Sequence, residues 1–192
     1  RMTEKKLKFS SKIGYGFGHV LNDLTATIWF SYTLLFLKDV ALIPIAAGPL
    51  LMLGQLADAF FTIIIGFLTD LYSTKRNWHM MGSFMLVLSF PSIFLLHKEI
   101  MPFWACIFYL AFMIVLFQCG WATVQIAHLA IIPELASNEK ERSELNAIRY
   151  SMSGIANITV FIVTYIFIRE GDASMRNDEI GPKDFNKFRV SI

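Results

Sequence analysis

The chain has 192 residues, 55% of them hydrophobic and only 17% charged, with a formal net charge of +2. A soluble domain carries roughly 25% charged residues. Here the apolar residues come in runs of about 20 or more, the length a helix needs to cross a bilayer, so the composition excludes a soluble protein and describes an all-α membrane protein. The small positive charge carries no nucleic-acid signal, because the basic residues sit between the apolar runs.

In chain order, residues 1–12 form a basic head, with Arg1, Lys5, Lys6, Lys8 and Lys12 against Glu4. The first apolar run continues into a full span instead of stopping at a cleavage site, so no cleavable signal peptide is expected. Five transmembrane helices are expected within 13–168, over about 13–37, 45–71, 78–96, 103–132 and 145–168. Pro133 ends the fourth, because proline lacks an N–H and disfavours helix in the residue before it. Residues 169–192 read as an extracytoplasmic loop, and the stretch 185–192 reads as the start of a sixth helix that is cut off. Cys106 and Cys119 fall in one span, about 20 Å apart if helical, too far to bridge. They lack metal-ligand spacing, so no metal, cofactor or catalytic residue is expected, and the chain does not read as an enzyme.

Orientation follows from the basic residues of the short loops. The head, the 72–77 loop and the 133–144 loop hold Arg1, Lys5, Lys6, Lys8, Lys12, Lys75, Arg76, Lys140 and Arg142, against Lys38 and Lys98 on the other side. The N-terminus is therefore expected in the cytoplasm.

Polar residues recur at helical spacing inside four spans. His19, Asp23 and Thr27 lie at i, i+4 and i+8 with Asn22 beside them, on one face of the first span. Gly14, Gly16 and Gly18 precede them and allow close helix approach. Gln55, Asp58 and Thr62 share a face of the second span. Gln118, Trp121, Gln125 and His128 mark the fourth, and Arg149, Ser153 and Asn157 the fifth. The third span holds only Ser83 and Ser89. This pattern predicts a water-filled cavity lined by spans one, two, four and five, with span three outside. Charges within a membrane are costly and mark function by default. Asp23 and Asp58 are the intramembrane acids, and Arg149 is the expected ion-pair partner for one of them. Substrate contacts are expected from His19, Asn22, Asp23, Gln118, Gln125 and Arg149, and cation or proton coupling from Gln55, Asp58 and Thr62. One carboxylate beside a hydroxyl is a poor sodium site, since hard cations favour several oxygen ligands. Between H+ and Na+, the proton is the coupling ion that this pair suits better.

The second span runs into Gly66, Asp70, Lys75 and Arg76. Gly66 would admit a neighbouring helix, Asp70 could accept bonds from a helix N-terminus, and the basic pair could hold acids or lipid phosphates. Together they read as a gating latch.

That loop resembles the G-x-L-x-D-x-x-x-x-[KR]-[KR] motif of the major facilitator superfamily. The resemblance implies a transporter of two six-helix halves, of which this chain covers most of the first, with the C-terminal half as a missing partner. Gly14–Gly18 with Asn22-Asp23, Asp58-Ala59, Pro133-Glu134-Leu135 and Arg149-Tyr150 resemble the glycoside–pentoside–hexuronide symporters. By that resemblance Asp23 and Arg149 contact substrate and Asp58 binds the coupling cation. Thr62 and Gln125 stand where those symporters carry further acids. The most extended resemblance is to the major facilitator superfamily domain-containing protein 12 family. It is carried by Gly18–Asp23, Leu53–Asp58, Phe117–Ala122, Gln125–Leu129, Ile132–Leu135 and Leu145–Tyr150. It implies alternating access and import of cysteine or a related amino acid across a lysosomal or melanosomal membrane. Arg149 would take the carboxylate and Asp23 the ammonium. A cation-coupled sugar symporter in the plasma membrane and a truncated, non-transporting scaffold are the alternative readings.

Overall fold

The computed structural model describes residues 7–72, 74–95 and 101–169. These residues form helices joined by short turns. In chain order they are α1 (Phe9–Phe17), α2 (Val20–Leu35), a π-helical turn (Phe36–Val40), α3 (Pro44–Leu71), α4 (Lys75–Ile93), α5 (Phe103–Ala130), α6 (Ile132–Leu135) and α7 (Glu139–Arg169). Among the described residues four stretches are long and apolar enough to cross a bilayer: Phe9–Val40, Pro44–Leu71, Phe103–Leu135 and Glu139–Ile166. The chain is a multi-pass, all-α membrane protein. The expected third span is helix α4. It falls outside that set because its first turns carry Lys75, Arg76, Asn77 and His79. The expected loop and sixth-helix start at 170–192 lie outside the described residues.

The first span is two helices in one line. The Gly18 N–H reaches the carbonyls of Gly14 and Tyr15 at 3.2 and 3.1 Å, and the His19 N–H reaches Gly16 O at 3.2 Å, which tightens the chain for a turn. The Asp23 N–H then bonds His19 O at 3.1 Å and the α-helix resumes. α3 begins on Pro44, whose missing N–H costs nothing in a first turn. Asn138 starts α7 by accepting the Glu141 N–H at 2.9 Å.

Packing centres on α5, which lies against both α3 and α4, while α7 packs along α1 and α2. Leu86, Phe90, Ile93, Leu110, Ile114 and Phe117 form the buried core with Trp29 and Phe36 of the first span. Phe90 and Phe117 meet at 4.8 Å between ring centroids. Two glycines set the α4–α5 distance: a Cβ at Gly82 would stand 2.9 Å from the Gly120 carbonyl oxygen. Outward, Phe30, Ile45, Phe60, Ile63, Phe84, Phe108 and Phe161 are exposed. In water such a surface would drive association. In lipid it is the expected solvent-facing side, with the backbone polar groups satisfied inside each helix.

Candidate substrate and coupling site

Asp23 is the centre of one polar cluster. The Ser153 hydroxyl of α7 donates to Asp23 Oδ2 at 2.6 Å. One turn on, the Thr27 hydroxyl lies within hydrogen-bond reach of Asn157 Oδ1 and of Asp23 O in its own helix, sharing its one hydrogen between them. Positions 23 and 27 of α2 thus meet 153 and 157 of α7, each pair one helical turn apart. Removing the Ser153 hydroxyl leaves a partly buried carboxylate without its donor, so Ser153→Ala is expected to cost about 1–3 kcal/mol. Thermal unfolding of the purified variant in detergent measures it; an unchanged midpoint would contradict the α2–α7 contact.

Behind Asp23, buried Asn22 donates through Nδ2 to Gln125 Oε1 of α5 at 3.2 Å and lies 3.4 Å from His19 Nε2. His19 Nε2 is 3.7 Å from Asp23 Oδ1. The His128 ring stacks on Tyr15 at 4.1 Å and on His19 at 4.7 Å, and meets His79 of α4 at 5.6 Å. The Tyr15 hydroxyl donates to His128 O at 3.3 Å. His79 Nε2 lies 3.0 Å from Gly18 O and donates to it.

Arg149 is buried, at 8% exposure. Its guanidinium lies 4.5 Å over the Tyr150 ring, a cation–π contact. The expected ion pair between Arg149 and an acid is not formed. Among the described residues no carboxylate stands within ion-pair distance of it. Asp23 takes a hydroxyl and an imidazole as its neighbours instead, and Arg149 Nε is buried without a hydrogen-bond partner.

Asp58 forms a second cluster. The Thr62 hydroxyl donates to Asp58 Oδ1 at 3.4 Å. Gln55, Asp58, Gln118 and Trp121 line a void of about 10 Å³, too small for a solute. Trp121 also donates through Nε1 to Asn22 O at 3.4 Å, so its indole is the wall shared by the two clusters. A void of about 400 Å³ lies between α2, α4 and α7 and is lined by apolar side chains such as Leu24, Ile28, Phe90 and Val160. α4 contributes Leu86, Val87, Phe90 and Pro91 to that void.

The loop motif is divided. Lys75 pairs with Glu134, joining the start of α4 to α6. Asp70 and Arg76 are exposed. Among the described residues nothing lies within 4 Å of a Cβ added at Gly66, whereas one at Gly16 would stand 2.9 Å from Ile148. Lys75→Ala and Glu134→Ala should each cost below about 1 kcal/mol, with a coupling of the same size or smaller, because the pair is partly solvated. A double-mutant cycle on thermal stability tests this.

Of the expected site residues, the folded chain gathers His19, Asn22, Asp23, Gln125 and Arg149 around one centre, and Gln55, Asp58, Thr62 and Gln118 around another. The sequence reading passed over His79 and Tyr15. Their signal was available only as a histidine near a helix start and a tyrosine between glycines.

The family model described as MFS/sugar transport protein matches residues 14–179. Major facilitator superfamily domain-containing protein 12 of Equus caballus is 39% identical over 97% of this chain, and that of Homo sapiens 38% identical over 96%. An uncharacterized symporter of Synechocystis is 33% identical over 88% of the chain. The chain spans 42% of the length of the two mammalian relatives and 33% of that of the cyanobacterial one.

Proposed function

This chain belongs to the MFS/sugar transport protein family, closely related to major facilitator superfamily domain-containing protein 12, and from that premise we propose that it forms one half of a secondary active transporter. The reading comprises five spans and the start of a sixth, a cytoplasmic N-terminus, and a second half that closes over the Asp23 face. The solute is a small zwitterion such as cysteine, carried into a lysosome-related organelle. Asp23 faces its ammonium, Arg149 takes its carboxylate, and Asn22, His19, Gln118 and Gln125 complete the contacts. Asp58 couples the cycle to a proton, with Gln55 and Thr62 around it, and Gly66, Asp70, Lys75 and Arg76 bias the gate.

The observation that carries this reading is the unmatched pair Asp23 and Arg149. Opposite charges stand on the packed helices α2 and α7 and do not close into an ion pair. A zwitterion can bridge such a pair, and intramembrane charges of this kind mark solute pathways. A second reading, a cation-coupled sugar symporter, is favoured by the family description and the cyanobacterial symporter. Uptake into vesicles bearing the full-length protein separates the two readings. Labelled cysteine and labelled melibiose are offered with and without a pH gradient. Cysteine uptake that rises with the gradient supports the first reading. Melibiose uptake without cysteine uptake replaces it with the second.

A further inference from the structure

The stacked rings at the α1–α2 junction have a chemistry that packing alone does not use. His19 is 1% exposed and His128 3% exposed. His19 Nδ1 and His128 Nε2 are both buried without a hydrogen-bond partner. Buried polar atoms are nearly always paired, because an unpaired one costs its lost hydration. Two idle ring nitrogens in one stack are therefore either wasted or reserved. With Asn22 Nδ2 donating to His19 Nε2, the neutral His19 ring carries its hydrogen on the unpaired Nδ1, and Nε2 is the nitrogen that a further proton takes.

The titratable and charged groups facing the stack come from every helix packed on it. They are Tyr15 from α1, Asp23 from α2, His79 from α4 and Arg149 from α7, with His19 and His128 themselves. Asp23 favours a positive charge on the stack. Arg149 opposes one, since like charges in a low-dielectric site repel. The rings are also too close to each other for two of them to be charged together.

We propose that the His19–His128–His79 stack is a proton-binding site separate from Asp58, and that the charge state at Arg149 sets its occupancy. This rests on the reading of Asp23 and Arg149 as the solute site. The proton comes from bulk water and forms an N–H bond at His19 Nε2. That nitrogen then no longer accepts from Asn22 Nδ2, now 3.4 Å away, and turns to Asp23 Oδ1, now 3.7 Å away. Asp23 holds α7 through Ser153 on its other oxygen, Oδ2, so the arriving proton acts on the same carboxylate that ties α2 to α7. An anionic group bound at Arg149 cancels the opposing charge and draws the proton in. By linkage the proton favours the anion to the same extent. Solute and proton would thus enter together with no contact between them.

The test is a pH titration of the full-length protein in detergent, labelled with ¹⁵N-histidine and followed by nuclear magnetic resonance. The His19 signal is identified by its loss in His19→Gln. In the native protein it should pass from a neutral to a protonated ring as the pH falls. Arg149→Gln should move that transition toward neutral pH by about one pH unit or more, and Asp23→Asn should move it to more acidic pH. A His19 ring that stays neutral throughout in the native protein overturns the proposal without any variant having to fold. So does a transition that ignores Arg149→Gln. The readout needs no transport. If saturating cysteine leaves the native transition in place while Arg149→Gln moves it, the proton site stands and the solute assignment falls.

Discussion

Asp58→Asn is expected to abolish gradient-driven accumulation of solute while leaving the fold in place. The substitution preserves shape and removes only the ability to carry a charge. Its surroundings tolerate an amide: Thr62 can still donate, and Gln55 and Gln118 border the same small void. The stability change should stay within about 1 kcal/mol, the scale of one exchanged hydrogen bond. The functional change should be total, because Thr62 cannot replace the carboxylate and no second acid lines that void. Vesicle uptake with and without a pH gradient, beside a thermal unfolding curve, separates the two effects. Accumulation at the native level would remove Asp58 from the coupling mechanism. Loss of folding would make it a structural residue.

The second large effect is mechanical. Gly82 and Gly120 bring the backbones of α4 and α5 together. A Cβ at Gly82 would stand 2.9 Å from Gly120 O and from Val124 N; one at Gly120 would stand 2.8 Å from Met85 Cβ and 3.1 Å from Gly82 O. Several of these neighbours are backbone atoms, which cannot swing aside as a side chain would. Small residues at such crossings are what allow helices in lipid to gain van der Waals contact. Gly82→Ala is therefore expected to destabilise by about 1–3 kcal/mol, and Gly82→Leu by more. Gly120→Ala should act on the same contact and add less than its own cost to the first. Gly154→Ala is the internal control. Nothing lies within 4 Å of a Cβ there, and alanine favours the helix over glycine by roughly 0.5–1 kcal/mol. Thermal unfolding in one detergent compares all four variants. Equal midpoints for Gly82→Ala and Gly154→Ala would contradict the close crossing.

Much of the site was legible before folding. Helical periodicity alone placed His19, Asp23 and Thr27 on one face and Ser153 and Asn157 on another, and the folded chain presses those faces together. Gln55, Asp58 and Thr62 were found on one face in the same way. What periodicity could not say is which face meets which. Arg149 illustrates the loss. Charge arithmetic assigned it an acid, but Asp23 is satisfied by Ser153 and flanked by His19, and Arg149 lies over Tyr150. His79 illustrates it again. It stands 49 positions before His128 in the chain, and only the α4–α5 contact makes the two rings neighbours.

The sequence by itself determined that the chain crosses a bilayer and where its polar stripes lie. Both follow from local physics: a helix satisfies its own backbone in lipid, and side chains repeat every 3.6 residues along it. It also marked the stretch from Gly54 to Arg76 as carrying an intramembrane acid and a charged turn. The tertiary structure decided the rest. It assigned Asp58 to a small void beside Gln118 and Trp121, gave Lys75 to Glu134, and left Asp70 and Arg76 exposed. It also gathered Tyr15, His19 and His79 around His128. Those contacts join residues far apart in the chain, and such contacts are set by which helix surfaces fit closest, at Gly82 against Gly120 and at Gly16 against Ile148. That fit is a property of two surfaces together, and neither segment carries it alone.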